Sequence, residues 1–217
     1  HMFLLSTLSV LLLFSSPSLA KDYLYITNPS INLISVIDGE KGLVLREVPV
    51  GQEPCDITID PAGTSIAVSH AGRMGEIWLL DRPTLKLKNK ILLVEETEGR
   101  KANCFFLAFS KKDKGILYAV NQFSGLFFTV DTLTGSITKK AAINDGSGQR
   151  VGGAVLAPDG RSLYISDARG RKIIVLNTEK GLIHETIQIQ GVPSAINISP
   201  DGKTLYVADE RARVLSW

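Results

Sequence analysis

One pattern is written five times along this chain. YITNPSINLISVID (25–38) aligns without a gap on YAVNQFSGLFFTVD (118–131) and YISDARGRKIIVLN (164–177). AVSHAGRMGEIWLLD (67–81) aligns with one extra residue, and YVADERARVLSW (206–217) aligns as far as it runs. Successive copies start 42, 51, 46 and 42 residues apart. A unit of this size cannot bury its own apolar face, so copies must stack on one another to make a continuous core.

Each period contains four short strands. The opening tetrapeptide ends one strand, and the apolar run before Asp38, Asp81, Asp131 or Asn177 forms the next. DGEKG (38–42), DTLTG (131–135) and NTEKG (177–181) then supply a turn, in which Asp or Asn receives backbone amides and Gly takes a positive φ. A third strand follows (45–50, 184–189) and then a fourth (56–60, 194–199). The turns DPAG (60–63), APDG (157–160) and SPDG (199–202) lead into the next tetrapeptide. Runs such as IWLL (77–80), LFFTV (126–130) and KIIVL (172–176) are apolar at successive residues, as expected for strands covered on both faces. The reading is an all-β chain, a β-propeller of four-stranded antiparallel blades. Its eighteen strands make about four and a half blades, an incomplete ring taken from a larger one of about seven.

The tetrapeptides Tyr25–Asn28, Tyr118–Asn121 and Tyr206–Asp209 resemble those of the YVTN family of β-propeller repeats, as do the VID-type runs, the Val50-Gly51…Pro54 step and the Pro-Asp-Gly turns. The resemblance covers essentially all of 22–217. It implies a secreted or periplasmic protein and includes non-catalytic binding proteins. Related propellers include lactonase-like enzymes and d1-haem-binding domains.

Residues 1–20 differ from the rest. Phe3 to Phe14 is apolar, Ser18 and Ala20 are small at the positions a signal peptidase reads, and the run is too short for a permanent span of about 20 residues. A signal peptide cleaved before Lys21 is expected, placing residues 21–217 in the periplasm or outside the cell with no membrane attachment, although the usual basic opening segment is missing. The net charge is +2 with both signs interspersed, and KKDK (111–114) and RGRK (169–172) have acids nearby, which argues against a nucleic-acid partner.

Binding groups are expected in two loop sets on one face. One follows the tetrapeptides; the other leads into each innermost strand and holds the longest insertions, 95–103 and 144–153. The candidate ligand-binding residues are Asn28, His70, Arg73, Asn121, Asp167, Arg169, Asp209 and Arg211. His70 breaks its column, since the other copies carry Asn or Asp there, residues that satisfy turn amides. Imidazole titrates near neutral pH and ligates metal or haem. No metal site is expected: His1 and His184 cannot join His70 in a cluster. No cofactor is evident, a d1-type haem being the alternative. Cys55 and Cys104 open the innermost strands of consecutive blades; they are candidate disulfide partners in an oxidising compartment, with two buried free thiols as the competing reading. The sequon Asn197-Ile198-Ser199 falls in an innermost strand and is expected to be buried. The function expected is an exported, non-catalytic module that binds a partner protein or small polar ligand. The alternative is a lactonase-like hydrolase or a d1-haem-associated protein.

Overall fold

A computed structural model describes Val10–Leu11, 22–71, 75–93, 104–143, 150–210 and 215–216. Its first sheet is β1 (Val10–Leu11), β2 (Tyr23–Asn28), β3 (Leu33–Asp38) and β4 (Val44–Pro49). The second is β5 (Pro54–Ile59), β6 (Ser65–His70), β7 (Glu76–Asp81) and β8 (Leu87–Leu92). The third is β9 (Phe105–Phe109), β10 (Ile116–Asn121), β11 (Leu126–Asp131) and β12 (Ser136–Ala142). The fourth is β13 (Val151–Leu156), β14 (Ser162–Asp167), β15 (Lys172–Asn177) and β16 (Leu182–Gln188). The fifth is β17 (Pro193–Ile198), β18 (Leu205–Asp209) and β19 (Leu215–Ser216). All eighteen expected strands are present. The additional one is β1, inside the segment read as a signal peptide, where Val10 pairs with Ile26 and Leu11 with Tyr25.

The chain forms two compact units, residues 1–105 and 106–217. The first has a core of Tyr25, Ile34, Val36, Ile57, Ile66, Val68, Leu80 and Leu85. The second is built on Tyr118, Val120, Phe127, Ile143, Val151, Leu163, Ile165, Ile174 and Leu176, among others. Strands with apolar residues in succession are buried on both faces, as their sequence requires: Ile173, Ile174, Val175 and Leu176 are all inside. The fourth strand of each sheet is mostly exposed, and all of β16 is. Each such strand meets its neighbour through a register shift at the same place, after Val36, Leu79, Thr129 and Val175. A bulge there adds local twist to the outer strand.

The turns follow the expected chemistry with one exception. Asp38 Oδ1 accepts the Glu40 and Lys41 amides at 3.1 and 3.0 Å, and Asp131 Oδ1 accepts those of Leu133 and Thr134 at 2.8 and 3.2 Å. Gly42, Gly135 and Gly181 close these turns at φ of 66°, 75° and 70°. In the second sheet, Leu85 takes the glycine position at φ 58°. Its side chain is buried against the Tyr25–Val36 cluster, so burial offsets a left-handed backbone that costs about 1–2 kcal/mol for such a residue.

A contact the sequence reading missed joins successive sheets near their innermost strands. The third residue of the tetrapeptide is Thr27, Ser69 or Ser166, and each is fully buried. Thr27 Oγ1 donates to the Cys55 carbonyl at 3.2 Å, Ser69 Oγ to Phe105 at 2.7 Å, and Ser166 Oγ to Ser194 at 2.6 Å. Those carbonyls occupy equivalent places at the start of the next innermost strand. Beside the last of them, a Cβ on Gly152 would overlap the Ser194 backbone, so glycine is what allows β13 to lie against β17.

The fifth sheet exposes what its counterparts cover. Tyr206 is 43% exposed, whereas Tyr25 and Tyr118 at the same repeat position are each 4% exposed. Asn197, expected to be buried, is exposed on this sheet.

Ser69→Ala is expected to cost about 1–3 kcal/mol in denaturant unfolding, because it strips a partner from two backbone groups, the Phe105 carbonyl and the Asp56 amide. Leu85→Gly relieves the left-handed backbone but removes a buried side chain worth about 2–3 kcal/mol, so the variant should be less stable than the parent. A more stable Leu85→Gly protein would show that strain outweighs packing there.

Candidate functional site

Within each unit, the loop after a tetrapeptide is stitched to the segment that enters an innermost strand. In the first unit the Ala71 amide donates to the Glu53 carbonyl at 2.9 Å. In the second, Ala168 donates to Arg150 at 2.9 Å, Glu210 to Val192 at 3.0 Å, and Val151 to Gln122 at 2.8 Å. The two loop sets therefore share one face in each unit, as expected. Asn32 adds to this join in the first unit: its side chain accepts the Glu53 amide at 2.8 Å and its carbonyl the Val50 amide at 3.0 Å. It sits at φ 57°, a conformation Asn tolerates better than most residues, and that was its only signal in the sequence.

The fourth tetrapeptide position is where the candidates divide. Asn121 Oδ1 accepts the Phe123 and Ser124 amides at 2.9 and 2.8 Å, and Asp167 Oδ1 accepts those of Arg169 and Gly170 at 3.2 and 3.0 Å. Both residues do the turn chemistry that their side chains suit. Both are fully buried, and among the described residues neither Asn121 Nδ2 nor Asp167 Oδ2 has a hydrogen-bond partner. Asn28 points its amide at Ser35 instead, with Nδ2 donating to the hydroxyl at 2.8 Å. Asp209 accepts the Val192 amide at 3.1 Å, and a Cβ on Gly191 would overlap its carboxylate.

His70 does something else. It ends β6 opposite Pro54 on β5 and Glu76 on β7, and is 3% exposed. Its ring lies 5.0 Å from that of Trp78, tilted by 48°. Gly51 lies over both: a Cβ there would sit 2.9 Å from His70 Cδ2, 3.0 Å from its Nε2 and 3.1 Å from Trp78 Cε2. Trp78 Nε1 donates to Glu76 Oε2 at 2.8 Å, and Lys90 Nζ stands 4.2 Å from the indole centroid. Neither imidazole nitrogen has a partner with hydrogen-bond geometry among the described residues. Burial lowers its pKa from 6.5 to about 4, against an opposing pull from the Glu76 charge and backbone. At neutral pH His70 is an uncharged ring packed on an indole.

Arg150 and Glu210 face each other in the second unit, with Nη1 and Nη2 at 3.3 and 3.1 Å from the two carboxylate oxygens. The pair is exposed, so it contributes about 0–1 kcal/mol. Arg169 is exposed as well. Arg73, Arg211 and the insertions at 95–103 and 144–149 lie outside the described residues. So does His1, while His184 is exposed on β16. Among the described residues no group of three His, Cys, Asp or Glu side chains could hold a metal ion. Cys55 and Cys104 are both free, so the expected link is not formed here, yet Ser69 Oγ bonds the residue after each, and the Cys55 thiol pushes the Cys104 thiol up.

A cleft of about 390 Å³ lies elsewhere in the second unit, bordered by Tyr164, Val175, Glu185, Ile187 and 202–205. The corresponding row on the third sheet, Tyr118, Thr129 and Lys139, is covered by the 177–181 turn, where Lys139 Nζ donates to the Glu179 carbonyl.

Comparison with known proteins agrees with this architecture. The hydrazine synthase of Kuenenia stuttgartiensis superposes with a TM-score of 0.67 over 86% of this chain and 58% of that one, at 20% identity. The WD40 β-propeller domain of Doa1 superposes with a TM-score of 0.66 over 86% of this chain and 57% of that one, at 15% identity. The fold is a β-propeller. The uncharacterized protein YncE of Salmonella typhi is 30% identical over 132 residues, 60% of this chain and 35% of that protein. Its namesake in Escherichia coli O157:H7 is 26% identical over the same share of each. The matched part thus spans about a third of the length of these curated relatives. No protein-family profile matches the chain.

The neutral burial of His70 makes stability depend on acid. The unfolded chain takes up a proton below about 6.5 that the folded one refuses until about 4, so stability is full above 6.5 and falls as pH drops towards 4. The loss attributable to this ring is at most about 3 kcal/mol. His70→Asn, which restores the residue found elsewhere in the column, should remove that part of the slope in denaturant titrations at pH 7, 5.5 and 4.5. An unchanged slope would mean that His70 is not the group taking up the proton.

Proposed function

We propose that the chain is an exported, non-catalytic β-propeller module of YVTN type. It holds a small polar ligand, or a polar segment of a partner protein, on the face built by its tetrapeptide loops. The observation that carries this reading is the pair of leftover polar atoms at the fourth tetrapeptide position. Asn121 Nδ2 is a donor and Asp167 Oδ2 an acceptor, each buried on a residue whose Oδ1 is already used by the turn. Buried polar groups need partners, and a hydroxyl- or amide-bearing ligand would offer both an acceptor and a donor. Exposed Arg150, Arg169 and Glu210, drawn from the two loop sets, give the surroundings of such a site a mixed, polar character. Export rests on the apolar opening segment and its small residues at Ser18 and Ala20.

The haem-linked and hydrolytic alternatives depend on His70, and its surroundings do not suit them. Gly51 and Trp78 close over the ring, which leaves no open edge at which an iron or a substrate would approach the imidazole. The residues around His70 do not fit a d1-type haem.

Asp167→Asn tests the proposal with the turn left intact, since Oδ1 can still accept the Arg169 and Gly170 amides while the partnerless oxygen becomes an amide nitrogen. Thermal-shift screening against sugars, amino acids and small carboxylic acids should find a compound that raises the Tm of the parent protein. In Asp167→Asn that compound should bind at least about tenfold more weakly, the effect of losing one buried hydrogen bond. Equal affinity in the two proteins would place the ligand away from this column and sink the reading. Turnover of the bound compound would sink the non-catalytic part of it.

A further inference from the structure

Cys55 is the second residue of β5, and Cys104 directly precedes β9. Ser69 draws these two strand starts together. Its hydroxyl accepts the Asp56 amide at 3.1 Å and donates to the Phe105 carbonyl at 2.7 Å, so it grips the residue after each cysteine. The same oxygen stands 4.0 Å from Cys104 Sγ. Thr27 fixes the other partner from the preceding sheet by donating to the Cys55 carbonyl at 3.2 Å. Cys55 Sγ donates to the Glu53 carbonyl at 3.3 Å, and the Cys55 thiol is the foremost influence pushing the Cys104 thiol up. Both residues are partly buried, and burial weighs on the Cys104 thiol.

We propose that Cys55 and Cys104 form a reversible dithiol–disulfide site, closed by exchange with a small-molecule disulfide, which ties β5 to the chain entering β9. In the first step one cysteine thiolate attacks the reagent disulfide, forms a mixed disulfide and expels one reagent thiolate, which takes up the proton lost by the cysteine. In the second step the other cysteine, once deprotonated, attacks the protein-side sulfur and expels the second reagent thiol. The cysteine pair gives up two electrons and two protons, and the reagent disulfide is reduced to two thiols.

The alternative use of two adjacent thiols is to grip a soft monovalent cation as a dithiolate. That product carries a net negative charge. The site penalises such charge: the Cys55 thiol, burial and the Asp56 carboxylate all push the Cys104 thiol well above its ordinary range. A disulfide is neutral and escapes that penalty. Nor do the cysteines belong to any group of three His, Cys, Asp or Glu side chains, among the described residues, that could hold a metal ion. The same raised pKa makes closure slow at neutral pH and faster in alkali.

The test uses the full chain, reduced and then incubated with oxidised glutathione at mildly alkaline pH before acid quenching. The expected product is a monomer that has lost the mass of two hydrogens. Its non-reducing peptide map should join the Cys55 and Cys104 peptides, and dithiothreitol should reverse the change. The Tm should rise by roughly 5–10 °C on closure, and Cys55→Ser and Cys104→Ser should show no such rise. Stable glutathione adducts on the two cysteines, a covalent dimer, or an unaltered mass would each overturn the proposal.

Discussion

Everything in these sheets depends on how one innermost strand is held against the next. Where four-stranded meanders meet side by side, their first strands crowd together and side-chain volume has little room. The chain solves this with a buried hydroxyl. Thr27, Ser69 and Ser166 each reach across to a backbone carbonyl at the start of the next innermost strand. The bond is short-range and directional, so it fixes the offset between neighbouring strands as well as their distance. The loops at the strand ends inherit that offset, which is why the segment after one tetrapeptide lands where it can bond the segment entering the next innermost strand.

The repeats are alike because each position has a structural task, and the departures show what each task tolerates. Asn121 and Asp167 at the fourth tetrapeptide position cap a tight turn. His70 gives up that role and fills space between Gly51 and Trp78. Glycine closes the turn after the second strand, whereas Leu85 keeps the backbone shape and contributes its side chain to the core. In both places a local rule is broken and the compensation is burial.

Strand order and turn positions were legible in the sequence, because Pro, Asp and Gly recur at fixed offsets and the apolar runs between them have strand length. The capping role of Asn121 and Asp167 could be read for the same reason, since an Asx side chain acts on amides two and three residues away. The hydroxyl contacts could not. Thr27 and Ser69 look like polar residues at the end of an exposed strand, and only the neighbouring strand reveals what they touch. The nearness of Cys55 and Cys104 was inferable because both open the innermost strands of consecutive repeats, but whether they are bonded is a matter of redox state that no spacing encodes. Asn197 was misjudged for a different reason: burial of an innermost strand is supplied by neighbouring sheets, and a strand's own residues do not record whether a neighbour covers it.

Val120 stands at the same repeat position as Thr27, Ser69 and Ser166 but carries no hydroxyl. It is fully buried in the cluster that includes Phe127 and Val151. That joint therefore rests on apolar contact, while its counterparts also hold a directed bond. Apolar burial weakens on cooling. Cooling therefore weakens the seam beside Val120 with no directed bond to hold it, whereas its counterparts at Thr27, Ser69 and Ser166 keep one.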